Sequence, residues 1–350
     1  MRIGLYGMPT AGKTFIMDQI DFLDVLVGSR LLREYAPDFD KRDEAGREEA
    51  RKAVANICRQ RDLFIMDGHY AFGDETAFTN EEGEMYDRYL YLYIDPEELK
   101  NRMEKSVKNQ KYLKYDLADW QKREIEGLRS YCHQHNKDFY VIDNPVKNIY
   151  ADAEETILFL KDIVAGYSNV NFARKIANFI LKNSSSEGIT LVDGDKTYIR
   201  EDSSSIVFDY RTHLFDGNFY SGFQSWKQYR EFAAYEINVP EHIDVHKNPK
   251  MPKELAGDVY ILSSGNKMVW EKLAQQFGLK AFAGREMSAE TKYFVTKFLR
   301  EQGRCVIAYG DSMSDLFMLQ EADEGYLISK EDGRISRSLV GTELGGVTIV

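Results

Sequence analysis

Short apolar runs rich in β-branched and aromatic residues recur along the first half of this chain, at residues 3–6, 25–27, 63–66, 89–94 and 139–142. Stretches with apolar residues at helical spacing separate them. A run this short reads as a strand buried on both faces, and the alternation predicts a parallel sheet with helices on both sides. Residues 151–164 carry the period of a helix that closes the first half; in the second, 172–181 carry that period again, and 189–192 and 305–309 read as buried strands. Ligands bind such sheets beyond the carboxyl ends of the strands, so the residues that follow each run are the ones to inspect.

At 350 residues the length suggests about two domains. Gly166-Tyr167-Ser168 and the polar loop 184–188 offer breaks, which sets the expected domains at 1–165 and 166–350. A hydrophobic content of 43% supplies two cores. Net charge is −11, with −8 in residues 1–165 and −3 in 166–350, so both halves are acidic. That counts against long, non-specific contact with nucleic acid, which relies on cationic surface. Cys58, Cys132 and Cys305 are far apart and odd in number, as expected of reduced thiols. With no signal-peptide pattern and no apolar run of membrane-spanning length, a cytoplasmic protein with no membrane partner is expected.

The first run leads into Gly7-Met8-Pro9-Thr10-Ala11-Gly12-Lys13-Thr14, the G-x-x-x-x-G-K-[ST] pattern between a strand and a helix. Gly7 and Gly12 let the backbone curl until successive N–H groups face one centre, and the positive end of the following helix adds to it. Lys13 can reach the β- and γ-phosphates, and the Thr14 hydroxyl can ligate Mg²⁺. The run at 63–66 ends in Asp67, placed to hold Mg²⁺ through water or to accept the proton of an attacking hydroxyl. His69 follows closely enough to touch the acceptor. ATP, or another nucleoside triphosphate, and Mg²⁺ are the expected cofactors.

These motifs, with Asp95-Pro96 after the fourth strand, resemble the adenylate-kinase-like branch of the P-loop kinases over about residues 1–165. The resemblance implies an acceptor near the end of the second strand, at Ser29 and Arg30 with Arg33 nearby. It also implies a mobile lid carrying Arg102, Lys105, Lys108, Lys111, Lys114 and Arg123. Arg102 and Arg123 are the stronger phosphate clamps, because a guanidinium holds two oxygens at once. His133, His135, His242, His246 and Trp120 read as structural.

In the second half a strand delivers Asp193 and Asp195, two residues apart and on one side if the chain is extended. One carboxylate can attack phosphorus while the other moves a proton. Residues 305–309 end in Gly310-Asp311-Ser312-Met313-Ser314-Asp315. Carboxylates so grouped need a cation, and an all-oxygen donor set favours Mg²⁺.

Asp193-Gly194-Asp195-Lys196-Thr197, the run 259–262 ending in Ser263, Lys292, and Gly310-Asp311 with Asp315 resemble the haloacid dehalogenase (HAD) superfamily of phosphatases. The likeness covers nearly all of residues 188–350. It implies a second doubly wound α/β domain with Asp193 as nucleophile and Asp195 as acid/base. Ser263 and Lys292 would hold the phosphoryl group, with Ser264 and Lys280 as alternatives. Mg²⁺ would bind Asp193, Asp311, Asp315 and the backbone carbonyl of Asp195. Lys196 stands where Gly is usual, and Ser314 where Asn is common. The insert at about 198–262 is expected to form a helical cap like that of phosphoserine phosphatases. Of Phe208, Tyr210, Phe215, Phe219, Tyr220, Phe223, Trp226 and Tyr229, most would be core of this cap and one or two would touch the substrate.

The expected protein is thus α/β with two doubly wound parallel sheets, an ATP-dependent small-molecule kinase fused to a Mg²⁺-dependent phosphomonoesterase. Its expected partners are a small phosphate acceptor and a phosphomonoester. One alternative is a polynucleotide 5′-kinase/3′-phosphatase acting on nucleic-acid ends. Another is a phosphatase governed by an ATP-sensing first domain.

Overall fold

A computed structural model of the chain describes residues 1–144, 149–208, 222–233 and 238–350. The chain divides between Tyr167 and Ser168 into two compact units.

The first unit runs β1 (Arg2–Tyr6), α1 (Lys13–Met17), β2 (Asp24–Leu26), α2 (Gly28–Tyr35), α3 (Glu44–Cys58), β3 (Phe64–Asp67), β4 (Ala71–Phe72), β5 (Glu75–Thr76), α4 (Asn80–Met85), β6 (Arg88–Ile94), α5 (Pro96–Glu104), α6 (Leu117–Gln134), β7 (Asp138–Asn144) and α7 (Ile149–Val164). Its sheet has the order β2-β3-β1-β6-β7, all pairs parallel. The expected strands therefore form one sheet. Buried aromatic rings pack against it, with Tyr6 stacked on Tyr89 at 6.0 Å and Tyr86 edge-on to both. The small antiparallel hairpin β4–β5 is an addition that the sequence pattern did not announce. Two-residue strands are too short to carry a period.

The second unit runs α8 (Asn169–Asn183), β8 (Gly188–Asp193), α9 (Ser203–Phe208), α10 (Gly222–Ala233), β9 (Asp258–Ser263), α11 (Lys267–Phe277), β10 (Lys280–Ala283), α12 (Ala289–Glu301), β11 (Cys305–Gly310), α13 (Met313–Glu321), β12 (Glu324–Leu327) and β13 (Thr348–Ile349). Its parallel sheet has the order β10-β9-β8-β11-β12-β13. Period-two alternation sorts its side chains into two cores. Ile189, Leu191, Tyr260, Leu262, Val306 and Ala308 pack with α8, α12 and α13. Val192, Ile261 and Tyr309 pack with Val269, Trp270 and Leu273 of α11 on the other face. Helix α8 begins earlier than its apolar period suggests, because the Ser168 hydroxyl caps it by accepting from the Asn171 N–H.

In the expected cap region, Phe223 and Trp226 of α10 are buried and stacked at 5.8 Å. Tyr229 is only half-buried. Tyr210, Phe215, Phe219, Tyr220 and the side chain of Phe208 lie outside the described residues. Among the described residues no helix is long and apolar enough to cross a membrane.

Candidate functional site

Each unit gathers chemistry-bearing residues at the carboxyl ends of its strands. In the first, Gly7 leaves β1 at φ 149° and Gly12 sits at φ 102°, conformations that only glycine adopts readily. A side chain at Gly7 would also place its Cβ 2.8 Å from the carbonyl oxygen of Leu92. The loop encloses a cavity of about 240 Å³ lined by Met8, Pro9, Thr10, Ala11, Gly12, Lys13, Thr14, Asp67 and His69. Helix α1 has only five residues, so the cradle rests on loop N–H groups more than on a helix dipole.

The Lys13 ammonium is buried and donates to the carbonyl oxygens of Gly7 and Met8. Burial lowers its pKa to about 8, against the pull of Glu124 and Asp67. Thr10 Oγ1 and His69 Nδ1 are buried there without a protein hydrogen-bond partner. Burial, then the charges of Lys13 and Lys108, holds the His69 imidazole neutral. A hollow edged with an ammonium and two unsatisfied polar atoms fits an anionic ligand.

Asp67 ends β3, and its Oδ1 accepts from the Gly28 N–H at 2.7 Å, tying the β2–α2 turn to the loop. Ser29, Arg30 and Arg33 stand on the exposed side of α2, and Arg33 pairs with Asp40. Arg102 reaches the loop. Asp95 caps α5 by accepting from the Glu97 and Glu98 N–H groups, and Pro96 starts it. The Arg102 guanidinium then lies 3.5 Å from the carbonyl oxygens of Thr10 and Ala11. Arg123 does not reach it: its guanidinium pairs with Asp119, one helical turn before it, and with Asp74 of the hairpin. Lys111 and Lys114 lie over the rings of Tyr112 and Tyr115, which pack on Trp120.

Sequence reasoning missed the groups behind Asp67. Glu82 is half-buried, accepts from Tyr6 Oη at 2.6 Å, and would lie 3.2 Å from a Cβ on Gly68. Arg47 and Arg51, one turn apart on α3, are half-buried on the same side. Arg51 has no ion pair within 4 Å among the described residues, though the Glu82 charge favours it most, and Arg47 Nε is buried without a partner. Their i, i+4 spacing was the available signal, but it looks like any charged helix face.

In the second unit the Lys292 ammonium, fully buried on α12, donates to Asp193 Oδ1 at 2.5 Å and Asp315 Oδ1 at 2.6 Å. Lys280, by contrast, is exposed at the start of β10, over the rings of Phe179 and Phe282. Asp315 Oδ2 accepts from the Asp311 and Ser312 N–H groups and the Ser312 hydroxyl, which fixes the turn after β11. Oxygens of Asp193, Asp311 and Asp315 lie within 4.8 Å of one another. Burial, then Asp315, raises the Asp193 pKa despite Lys292. Burial, Asp315 and Asp193 raise Asp311 further. Burial works against the Lys292 ammonium, but its two carboxylates outweigh it and its pKa rises. One ammonium does not balance this cluster, so an all-oxygen site with surplus negative charge fits a hard divalent cation.

Asp195 lies past the strand end, in a wide turn at residues 194–198, and its carboxylate stands apart from that trio. Its Oδ1 accepts from the Ser203 N–H at 2.7 Å and its Oδ2 from Trp270 Nε1 at 3.2 Å. Burial, then Asp202, raises its pKa. Ser263 ends β9 with its Oγ accepting from the Gly265 N–H, while Ser264 Oγ is buried without a partner. Of the histidines, His135 stacks on Tyr131 and His246 pairs with Glu201.

The two units thus present different arrangements: a glycine-shaped loop around a buried ammonium, and a carboxylate cluster with a buried lysine. No protein-family model and no curated protein sequence matches this chain. Matching solved structures are of both kinds the sequence resembles. A shikimate kinase from Bacteroides thetaiotaomicron is 18% identical, covers 47% of this chain and 98% of its own, and gives a TM-score of 0.34. A shikimate kinase from Acinetobacter baumannii in complex with shikimate is 16% identical over 46% and 93%, TM-score 0.33. A HAD family hydrolase from Salmonella enterica subsp. enterica serovar Typhi is 17% identical over 46% and 72%, TM-score 0.28.

Proposed function

We propose that the chain is a bifunctional enzyme, a nucleoside-triphosphate-dependent small-molecule kinase joined to a phosphomonoesterase. The observation that carries the reading is the convergence of Asp193, Asp311 and Asp315 around the buried Lys292 ammonium. Structural ion pairs seldom gather three carboxylates, two of them buried, about one buried ammonium, since each buried charge costs several kcal/mol to desolvate.

In the phosphatase unit, Lys292 orients Asp193 for in-line attack on the phosphorus of a phosphomonoester. The new bond joins an Asp193 carboxylate oxygen to phosphorus, and the ester P–O bond breaks. Asp195, whose pKa burial raises, gives its proton to the departing oxygen. A water then attacks the aspartyl-phosphate, Asp195 takes its proton, and Asp193 is released with inorganic phosphate. Ser263 or Ser264 hydroxyls hold the phosphoryl oxygens. Asp193, Asp311 and Asp315 would hold Mg²⁺, which would supply charge to offset the dianion.

In the kinase unit, Lys13 exchanges the Gly7 and Met8 carbonyls for phosphate oxygens, and Arg102 is close enough to join it. Asp67 anchors the turn where the acceptor enters, and Arg47, Arg51 and Glu82 stand behind it. Thr14 and Asp67 are the residues suited to a triphosphate-bound Mg²⁺. The cytoplasm suits both substrates.

The test is a metabolite screen with wild type, Lys13→Ala and Asp193→Asn in parallel. Each substitution should lower one activity by about 10³-fold or more and leave the other. Loss of phosphatase activity in Lys13→Ala, with no acceptor phosphorylated by wild type, would favour an ATP-sensing first unit instead.

A further inference from the structure

Two lysines beside the carboxylate cluster take no part in the chemistry derived above. Lys196 holds a left-handed backbone, φ 62° and ψ −7°, at a position where a side chain is disfavoured. Its N–H donates to the Glu201 carbonyl at 3.1 Å, and its own carbonyl accepts from Asn248 Nδ2 at 2.9 Å. The same buried carboxamide accepts the Lys250 N–H through Oδ1 at 3.0 Å. One asparagine therefore ties the backbones of both lysines together, three residues past Asp193 in the case of Lys196. The Lys196 ammonium pairs with Asp202 at 2.7 Å and also feels the charges of Asp311 and Asp195. Lys250 Nζ donates to neutral groups, Ser329 Oγ and the Lys330 carbonyl, and Ser329 Oγ in turn donates to Val350 O. Ser329 follows Ile328, whose N–H is bonded to the carbonyl of Gly310, the residue before Asp311. Both head groups thus border the catalytic end of the sheet.

We propose that Lys196 and Lys250 form a second anion subsite, so that the preferred substrate is a phosphomonoester whose leaving group carries a further phosphate. The proposal rests on the phosphatase reading. The Lys250 ammonium, held by a hydroxyl and a carbonyl oxygen, gains a stronger, charge-assisted bond by exchanging them for a phosphate, while the Lys196 ammonium, paired with Asp202, adds positive charge near Asp311 and Asp195. A leaving group without a second charge gains nothing from this rim, so the pair selects among substrates without touching the reacting atoms. The second phosphate belongs either to a small bisphosphate or to the backbone beside a 3′-phosphate, and the assay separates these.

The full chain, in excess Mg²⁺, is assayed on p-nitrophenyl phosphate with three competitor sets. These are a nucleoside 3′,5′-bisphosphate against its 3′-phosphate, fructose 1,6-bisphosphate against fructose 6-phosphate, and a 3′-phosphorylated dinucleotide. At least one doubly phosphorylated competitor should inhibit about tenfold more tightly than its singly phosphorylated counterpart. Lys196→Gly, which suits the left-handed backbone, and Lys250→Met should each bring that ratio to within about twofold of unity, while Lys196→Arg retains it. An advantage confined to the dinucleotide assigns the second phosphate to a nucleic-acid backbone. Ratios near unity in wild type, or an advantage that survives both substitutions, would overturn the proposal. If hydrolysis sensitive to Asp193→Asn is itself absent, it is the phosphatase reading that fails.

Discussion

Lys13 and Lys292 are both buried ammoniums, and their surroundings drive them in opposite directions. Carbonyl oxygens leave Lys13 short of compensation, whereas two carboxylates more than compensate Lys292. Neither outcome can be read from sequence, because Glu124 and Asp315 are remote along the chain. Glu82 is a sharper case. Burial, opposed by the Tyr6 hydrogen bond and by Arg51, raises its pKa from 4.5 to about 7. The folded state therefore binds this proton more tightly than the unfolded state. Its contribution is complete below pH 4.5 and is lost as pH rises to about 7, a change of about 3 kcal/mol. Urea titrations should show the wild-type advantage over Glu82→Gln shrinking across that window and flat above it; a constant difference would contradict the assignment. Asp311→Asn makes the opposite trade at the other site. Relieved of repulsion from Asp315 and Asp193, the variant should melt a few degrees higher without metal, and Mg²⁺ should no longer raise its melting temperature.

Among the elements, the buried parallel strands were legible because such strands write nearly continuous apolar runs, and their carboxyl ends then named Asp67, Asp193 and Asp311. What surrounds those ends was not. Arg51 and Glu82 sit on α3 and α4 as ordinary helical charges until the fold buries one face. Arg123 looked like a phosphate clamp, yet an Asp119 four residues earlier holds it. The loop after β1 owes its shape to Gly7 meeting the Leu92 carbonyl of β6. Gly7→Ala should therefore weaken triphosphate binding by about tenfold or more, measured by fluorescent-nucleotide titration, with far-UV circular dichroism unchanged. Normal affinity in that variant would show the loop tolerates a side chain there.

At the level of the molecule, each unit owns a sheet and a core, so calorimetry of the full chain should resolve two transitions. Mg²⁺ alone should raise one of them, and a triphosphate with Mg²⁺ the other as well. The break read near residue 166 lies beside the division between Tyr167 and Ser168; the link between Lys196 and Lys250 was invisible, because Asn248 makes it only in three dimensions. Lys292 has one last consequence. Wedged between two acids, it serves the second unit as a resident counterion, unlike the metal of a zinc finger, without which the fold dissolves. A chelator should silence hydrolysis while the unit keeps its shape, and restoring the ion should bring activity back with no refolding lag.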